Sequence, residues 1–188
     1  MIAGLALAGG QSRRMGTDKS LLLIKGKPLV AYVLDRLRAE TAVVAISANG
    51  DPARYAPFAV PVLPDGAFAG RGPLAGVLTG MEWAATMGAD ALLTIPVDTP
   101  FAPAGLAKAL CPPPVCAASL GRVHHLVALW PAGAALSLRA FLSGKGPYAV
   151  HRFGNLIGMQ AVTFPAKAGR DPFWNVNTPE DFAHFGPP

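Results

Sequence analysis

The stretch that decides the fold is LALAGGQSRRMGTDKSLL, residues 5–22. A short apolar run, Ile2 to Leu7, ends abruptly at Ala8-Gly9-Gly10, and two arginines and a lysine follow. Glycine lets backbone N–H groups approach a phosphate closely, and the basic side chains supply positive charge. Because open α/β sheets bind ligands beyond the carboxyl ends of their strands, this loop is predicted to bind phosphate.

The loop differs from two well-known phosphate-binding motifs. The Walker motif needs a glycine-lysine-Ser/Thr ending, whereas Gly16 is followed by Thr17-Asp18-Lys19. The dinucleotide fingerprint G-x-G-x-x-G is also absent at Gly9-Gly10. The alternative is a glycine turn with a solvated basic face. The apolar strand that leads directly into the loop favours phosphate binding.

Length and composition narrow the class of protein. The chain has 188 residues, of which 52% are hydrophobic and 14% charged, which fits one folded domain over 1–188 and excludes disorder. No uninterrupted apolar run approaches the roughly 20 residues of a membrane span, and no signal peptide is recognised. Cys111 and Cys116 lack metal-binding spacing, so reduced cysteines in a cytoplasmic protein are expected.

The net charge of +5 does not indicate a nucleic-acid-binding protein. The excess of 16 basic over 11 acidic residues is small, and no basic block lies outside the glycine loop. Aromatic residues do not alternate with basic ones, as a stacking platform would need. Small polyanions, such as a nucleotide and a phosphorylated substrate, account for the charge.

Alternating strand and helix patterns predict an α/β fold, a single domain with a mainly parallel sheet and helices on both faces. Strands are predicted at 2–7, 42–47, 60–63 and 91–95, with helices beginning at Leu29 and after Gly72-Pro73. The second half is predicted to contain a helix at 103–110, a strand pair at 115–120 and 123–130, a helix at 134–142, a strand at 159–164 and a helix opening at Thr178.

Polar residues follow four of the predicted strands: the 8–19 loop, Asn49, Asp65 and Asp98. Each alone is compatible with a turn or a helix cap. A parallel sheet gathers the ends of its strands at one edge, so together they predict a nucleotide pocket. Magnesium prefers one or two carboxylates plus phosphate oxygens and water, which makes Asp98 the candidate Mg²⁺ ligand.

The basic loop residues are assigned to the phosphates. Lys19 is expected to bind the phosphates as a point charge, and Arg13 or Arg14 to hold further phosphate groups. Backbone N–H groups of Ala8 to Gly10 assist. No general base is evident, and none is needed if the nucleophile is an ionised phosphate oxygen.

Four motifs carry a family resemblance. They are the run 7–19, the stretch Gly72-Pro73-Leu74-Ala75-Gly76, the run 95–101, and the segment 171–179, DPFWNVNTP. Together and in order they resemble the molybdenum cofactor guanylyltransferases, nucleotidyltransferases with a nucleotide-diphospho-sugar-transferase-like fold. The resemblance spans nearly the whole chain.

The resemblance implies an Mg²⁺-dependent transfer of GMP from GTP to molybdenum-bearing molybdopterin. It implies GTP contacts from seven positions: Leu7, Ala8, Gly9, Lys19, Asn49, Asp65 and Asp98. Whether Asp65 binds base or ribose stays open. Asn175 and Asn177 are assigned to the pterin, since alternation places both on one side of an extended segment and asparagine offers donors and acceptors. Possible protein partners are apo-molybdoenzymes and cofactor-biosynthesis proteins.

Three rival functions remain open. The first is the same reaction with CTP, although Gly9-Gly10 resembles the guanylyl members. The second is transfer to another phosphorylated small molecule, and the third is a non-catalytic adaptor that delivers cofactor. The histidines are left out of the predicted site, because adjacent residues such as His124 and His125 point to opposite faces of a regular strand.

Overall fold

The computed structural model describes residues 1–9, 18–177 and 181. The described residues do not include Gly10, Arg13, Arg14 or Thr178, where a helix is expected to begin. The statements about these residues therefore remain predictions.

Nine strands and five α-helices are defined in the described part of the chain. The strands are β1 (Ile2–Leu7), β2 (Leu23–Ile24), β3 (Lys27–Pro28), β4 (Val43–Ser47), β5 (Val62–Leu63), β6 (Ala91–Pro96), β7 (Val115–Ser119), β8 (Arg122–Pro131) and β9 (Gln160–Thr163). The helices are α1 (Leu29–Glu40), α2 (Pro73–Thr86), α3 (Leu106–Ala109), α4 (Ala135–Ser143) and α5 (Val150–Leu156).

The main sheet has the order β5-β4-β1-β6-β8-β7-β9. Strands β5, β4, β1 and β6 run parallel, β8 is antiparallel to both of its neighbours, and β7 pairs in parallel with β9. Strand β1 is almost entirely buried because helices cover both faces, which explains its continuous apolar run. The predicted fold class is confirmed.

The two faces of the sheet carry separate hydrophobic cores. On one face α1 packs through its helical repeat Val30, Val33, Leu34 and Leu37, together with α3. On the other, α2 packs beside α4 and α5. The predicted helices at α1, α2 and α4 are confirmed, α3 is shorter than the prediction, and α5 was not predicted.

The strand order of the sheet reverses at β1, and this point marks where a ligand is expected to bind. From β1 the chain passes to β4 and β5 on one side, and it then returns to β6 on the other side. Ligands of open α/β sheets bind at such a switch point, beyond the carboxyl ends of the strands. Leu7 pairs with Pro96, so β1 and β6 end level with each other and their loops share one cleft.

Candidate active site

A cleft of about 620 Å³ lies at the carboxyl ends of β1 and β6. It is lined by the predicted residues Leu7, Ala8, Gly9, Lys19, Asp98 and Asn175. Backbone hydrogen bonds fix its floor: the Ala8 N–H donates to the Ser47 carbonyl at 2.9 Å, and the Val97 N–H donates to the Leu7 carbonyl at 3.1 Å. The loop that follows β1 therefore leaves the sheet at a defined position between β4 and β6.

Lys19 stands at the centre of the polar contacts in the cleft. Its ammonium donates to Asp98 Oδ2 at 3.3 Å and to Asn177 Oδ1 at 2.6 Å. The Lys19 and Asp98 side chains are 23% and 28% exposed, so both stay accessible to a ligand. An ammonium group has three N–H donors, and contacts within the described residues use two of them. The arrangement is suited to binding an anion beside Asp98.

Asp18 holds Lys19 in place. Asp18 Oδ1 accepts from the Ser20 backbone N–H at 3.0 Å and from the Ser20 hydroxyl at 2.7 Å, which caps the short 3-10 helix that begins at Lys19. Its other oxygen accepts from the Tyr55 hydroxyl at 3.1 Å and forms an ion pair with Arg54 at 2.9 Å. Burial raises the pKa of Tyr55, so its hydroxyl remains a donor. The Asp-x-Ser spacing was the sequence signal for this cap.

Asn49 and Asp65 pair with each other beyond the ends of β4 and β5. The Asn49 amide donates to Asp65 Oδ2 at 2.6 Å, and the Asp65 N–H donates to Asn49 Oδ1 at 2.9 Å. Asn49 follows β4, the neighbour of β1, and Asp65 follows β5 at the edge of the sheet, and neither residue lines the cleft. Gly76 in α2 leaves room for Asp65 and for Ser47 at the end of β4, since a Cβ there would lie 3.3 Å from Asp65 Oδ1 and 2.2 Å from Ser47 Oγ.

The segment 171–177 runs alongside the end of β6. The Val176 N–H donates to the Asp98 carbonyl at 2.7 Å, and the buried Val176 side chain packs with Ile24 and Leu29. Asn175 is half-buried and contacts the Thr99 hydroxyl at 3.4 Å, whereas Asn177 is exposed and contacts Lys19. Val176 is thus buried between two more exposed asparagines, and the assignment of both asparagines to the pterin stays a prediction.

The predicted exclusion of the histidines from the site is at odds with their positions. His124, His125 and His151 all line the cleft, and Arg122 does so as well. Strand alternation fails because β8 is irregular: His124 pairs with Ala117, while the next paired residue, Cys116, lies opposite Ala128. Residues 125–127 therefore bulge, and bulges commonly redirect side chains next to active sites.

The available donors fit one type of metal site. Within 1–9, 18–177 and 181, no three His, Cys, Asp or Glu side chains cluster to form a protein metal cage. Asp98 is an accessible carboxylate next to the cleft floor. Magnesium bound mainly by nucleotide phosphates and water needs only one or two carboxylates. The residues present therefore fit a magnesium ion that arrives with a nucleotide.

Comparison with known proteins agrees with this geometry. Residues 4–157 match the family model described as a MobA-like NTP transferase domain. The chain belongs to this family. Molybdenum cofactor guanylyltransferases from Acidiphilium cryptum and Cereibacter sphaeroides are 52% and 48% identical over 181 and 185 residues. Each alignment covers 96% of this chain, and 91% and 93% of the respective relatives.

Solved structures support the family's fold. The crystal structure of molybdopterin-guanine dinucleotide biosynthesis protein A from Archaeoglobus fulgidus has a TM-score of 0.65 and 22% identity, covering 98% of this chain and 96% of that one. At this identity the likeness shows the fold alone. The family model ends at 157, so the segment 171–177, which completes the cleft, lies beyond it.

Proposed function

We propose that this protein transfers GMP from GTP to molybdenum-bearing molybdopterin and releases pyrophosphate. The observation that carries the proposal is the contact of Lys19 with Asp98, both of which line the cleft, together with the bond from Lys19 to Asn177. The choice of the two substrates is inferred from the names of relatives that are up to 52% identical, the molybdenum cofactor guanylyltransferases.

The transfer is a displacement at the α-phosphorus. An oxygen of the terminal phosphate of molybdopterin attacks it, a new P–O bond forms, and the bond to the β-phosphate breaks. Pyrophosphate leaves with the electron pair. Because the nucleophile is already ionised, the protein mainly positions the groups and stabilises their charge.

Each side chain has a proposed part in this step. Lys19 stabilises negative charge on the α-phosphoryl group, and Arg13 or Arg14 binds the departing phosphates. Asp98 holds Mg²⁺, which neutralises phosphate charge when bound. The N–H groups of Ala8 to Gly10 bind phosphate.

The recognition of the two substrates is also proposed residue by residue. Asn49 and Asp65, with Leu7, hold the guanosine, and Asn175 and Asn177 contact the pterin. Hand-over of the product to apo-molybdoenzymes in the cytoplasm is part of the proposal and rests on the resemblance. No helix of the described residues is long and apolar enough to cross a membrane.

The test is pyrophosphate release with purified protein, molybdenum-bearing molybdopterin, Mg²⁺ and either GTP or CTP. We expect release with GTP and a much lower kcat/KM with CTP, because a site paired to one base leaves buried polar groups unpaired with another. Equal kcat/KM values would contradict the guanine assignment. No release with any nucleotide would favour a non-catalytic adaptor.

A further inference from the structure

A buried His–Asp pair joins β8 to the segment 171–177. His124 Nε2 lies 3.0 Å from Asp171 Oδ2, and the two side chains are 7% and 8% exposed. The Phe173 ring, fully buried, lies 5.0 Å from the His124 ring between centroids. His124 also lines the cleft. The pair thus connects strand β8 of the sheet to the segment that carries Asn175 and Asn177.

Contacts follow one another along this segment from the pair to the reaction centre. The Phe173 N–H donates to Asp171 Oδ1 at 2.8 Å, which turns the chain inward. Three residues later the Val176 N–H is bonded to the Asp98 carbonyl at 2.7 Å. The segment is therefore fastened to β8 at its start and to the end of β6 next to Asn177.

Chain stability alone is a weak reason for this pair. Replacing both partners of a buried hydrogen bond by apolar groups of the same shape can leave stability nearly unchanged or raise it. Removing only one partner is costly, since a buried polar group is left unpaired. The pair instead fixes a position: its hydrogen bond holds Asp171, the start of the segment, at a defined place beside β8.

The protonation state of the pair follows from its surroundings. Burial lowers the pKa of His124, and the attraction of Asp171 opposes this only partly. The neutral imidazole carries one N–H, and an ionised carboxylate accepts only. The proton therefore sits on Nε2 and is donated to Asp171.

We infer that His124 is a positioning residue for the acceptor substrate: by holding Asp171 it fixes the segment 171–177 so that Asn175 and Asn177 meet the molybdopterin. This inference rests on the proposed function. Lys19 and Asp98 also contact the segment, through Asn177 and Val176, but the nucleotide side of the cleft has supports of its own in Asp18 and in the backbone bonds of Ala8 and Val97. Loss of the His124–Asp171 pair should therefore weaken the binding of molybdopterin much more than the binding of GTP.

Three variants of the full chain test the inference. His124→Leu removes the donor, and His124→Gln keeps an N–H at a similar reach. Glu40→Leu is the matched control: its carboxylate, also 8% exposed, lies at the end of α1 and accepts from the Gly105 and Ala107 N–H groups, and none of these three residues lines the cleft.

We expect His124→Leu to raise the KM for molybdopterin about tenfold, the size of one lost charge-assisted hydrogen bond, with little change for GTP. His124→Gln should restore most of it. Glu40→Leu should lower Tm without changing either KM. An equal rise of both KM values, or a molybdopterin effect of the same size in Glu40→Leu, would overturn the inference.

Hydrogen exchange provides a readout that needs no activity. In His124→Leu the amides of Phe173 and Val176 should exchange faster than in the parent, while the amide of Ala8 should not. Unchanged exchange at Phe173 and Val176 would overturn the inference even if the parent enzyme is active. A parent that releases no pyrophosphate would overturn the proposed function and leave the exchange result to decide the role of His124.

Discussion

At the scale of single residues, Lys19 is the side chain whose loss should affect turnover most. Lys19→Ala removes the cation that contacts both Asp98 and Asn177. By analogy with the loss of one electrostatic stabiliser, we expect kcat to fall about 10²–10³-fold. Steady-state assays at saturating GTP measure this.

Lys27→Ala is the matched control for Lys19→Ala. Lys27 lies in the β2–β3 hairpin and pairs with Asp35, outside the lining of the cleft. Its loss should leave kcat within a factor of about two, as is usual for an exposed ion pair. Near-parental turnover of Lys19→Ala would contradict the role of Lys19.

Asp98→Asn tests the metal assignment. The substitution keeps size and removes the charge that favours a divalent cation, so the Mg²⁺ concentration for half-maximal activity should rise. Val176 bonds to the Asp98 backbone carbonyl, which the change leaves in place, so Tm should move little. If activity and Mg²⁺ requirement both stay at the parental values, Asp98 serves only as a structural contact.

His124 predicts a pH dependence of stability. Because the folded-state pKa lies below the ordinary 6.5, the unfolded chain binds more protons in the window between the two values. The free energy of unfolding should therefore fall as pH drops through 6.5 towards the lowered value. His124→Gln should flatten the plot of Tm against pH below pH 6.5. A plot that the substitution leaves unchanged would contradict the assignment of this pH dependence to His124.

Residue types at strand ends were predictable, but their contacts were not. Asn49, Asp65 and Asp98 stand out because each follows an apolar strand closely, and Lys19 stands out because it ends the glycine-rich basic loop. The bond from Lys19 to Asn177 joins residues 158 positions apart, and sequence periodicity carries no information about that. Tyr55 is similar, since its hydroxyl contacts Asp18 only after the chain has folded.

At the scale of elements, α2 depends on the absence of a side chain at Gly76. A Cβ there would lie 2.2 Å from Ser47 Oγ and would also touch Asp65. Gly76→Ala should therefore lower the free energy of unfolding by about 1–3 kcal/mol through overpacking and should weaken GTP binding. Chemical denaturation and nucleotide titration measure the two effects.

Gly133→Ala is the control for this change. A Cβ at Gly133 meets no heavy atom within 4 Å, so the stability should change little. If Gly76→Ala is tolerated equally well, helix α2 is free to shift and does not fix Asp65.

Element type was predicted best where the sequence period is unambiguous. The buried run of β1 and the helical repeat of α1 leave no alternative. Helix α5 buries only Phe153 and Gly154, too few residues for a recognisable period. The bulge in β8 also escaped prediction, because it depends on pairing with β7 and not on the order of residues in β8.

At the scale of the molecule, ligand binding should stabilise the fold. A ligand at 100 times its Kd adds about 2.7 kcal/mol, which for a chain of this size raises Tm by roughly 5–10 °C. We expect this shift with GTP and Mg²⁺ and a much smaller one with CTP at the same concentration. Equal shifts with both nucleotides would contradict base selectivity.

The bond between Val176 and Asp98 has a consequence for the order in which the protein folds. The neighbouring contact between Thr99 and Asn175 joins residues 76 positions apart along the chain, and closing so long a loop is entropically unfavourable until the sheet exists. Long-range contacts of this kind form late and slow the folding reaction. During synthesis on the ribosome, the chain would thus first form the part of the cleft at the ends of β1 and β6, where the nucleotide is proposed to bind. It would become able to accept the second substrate only when the last segment docks.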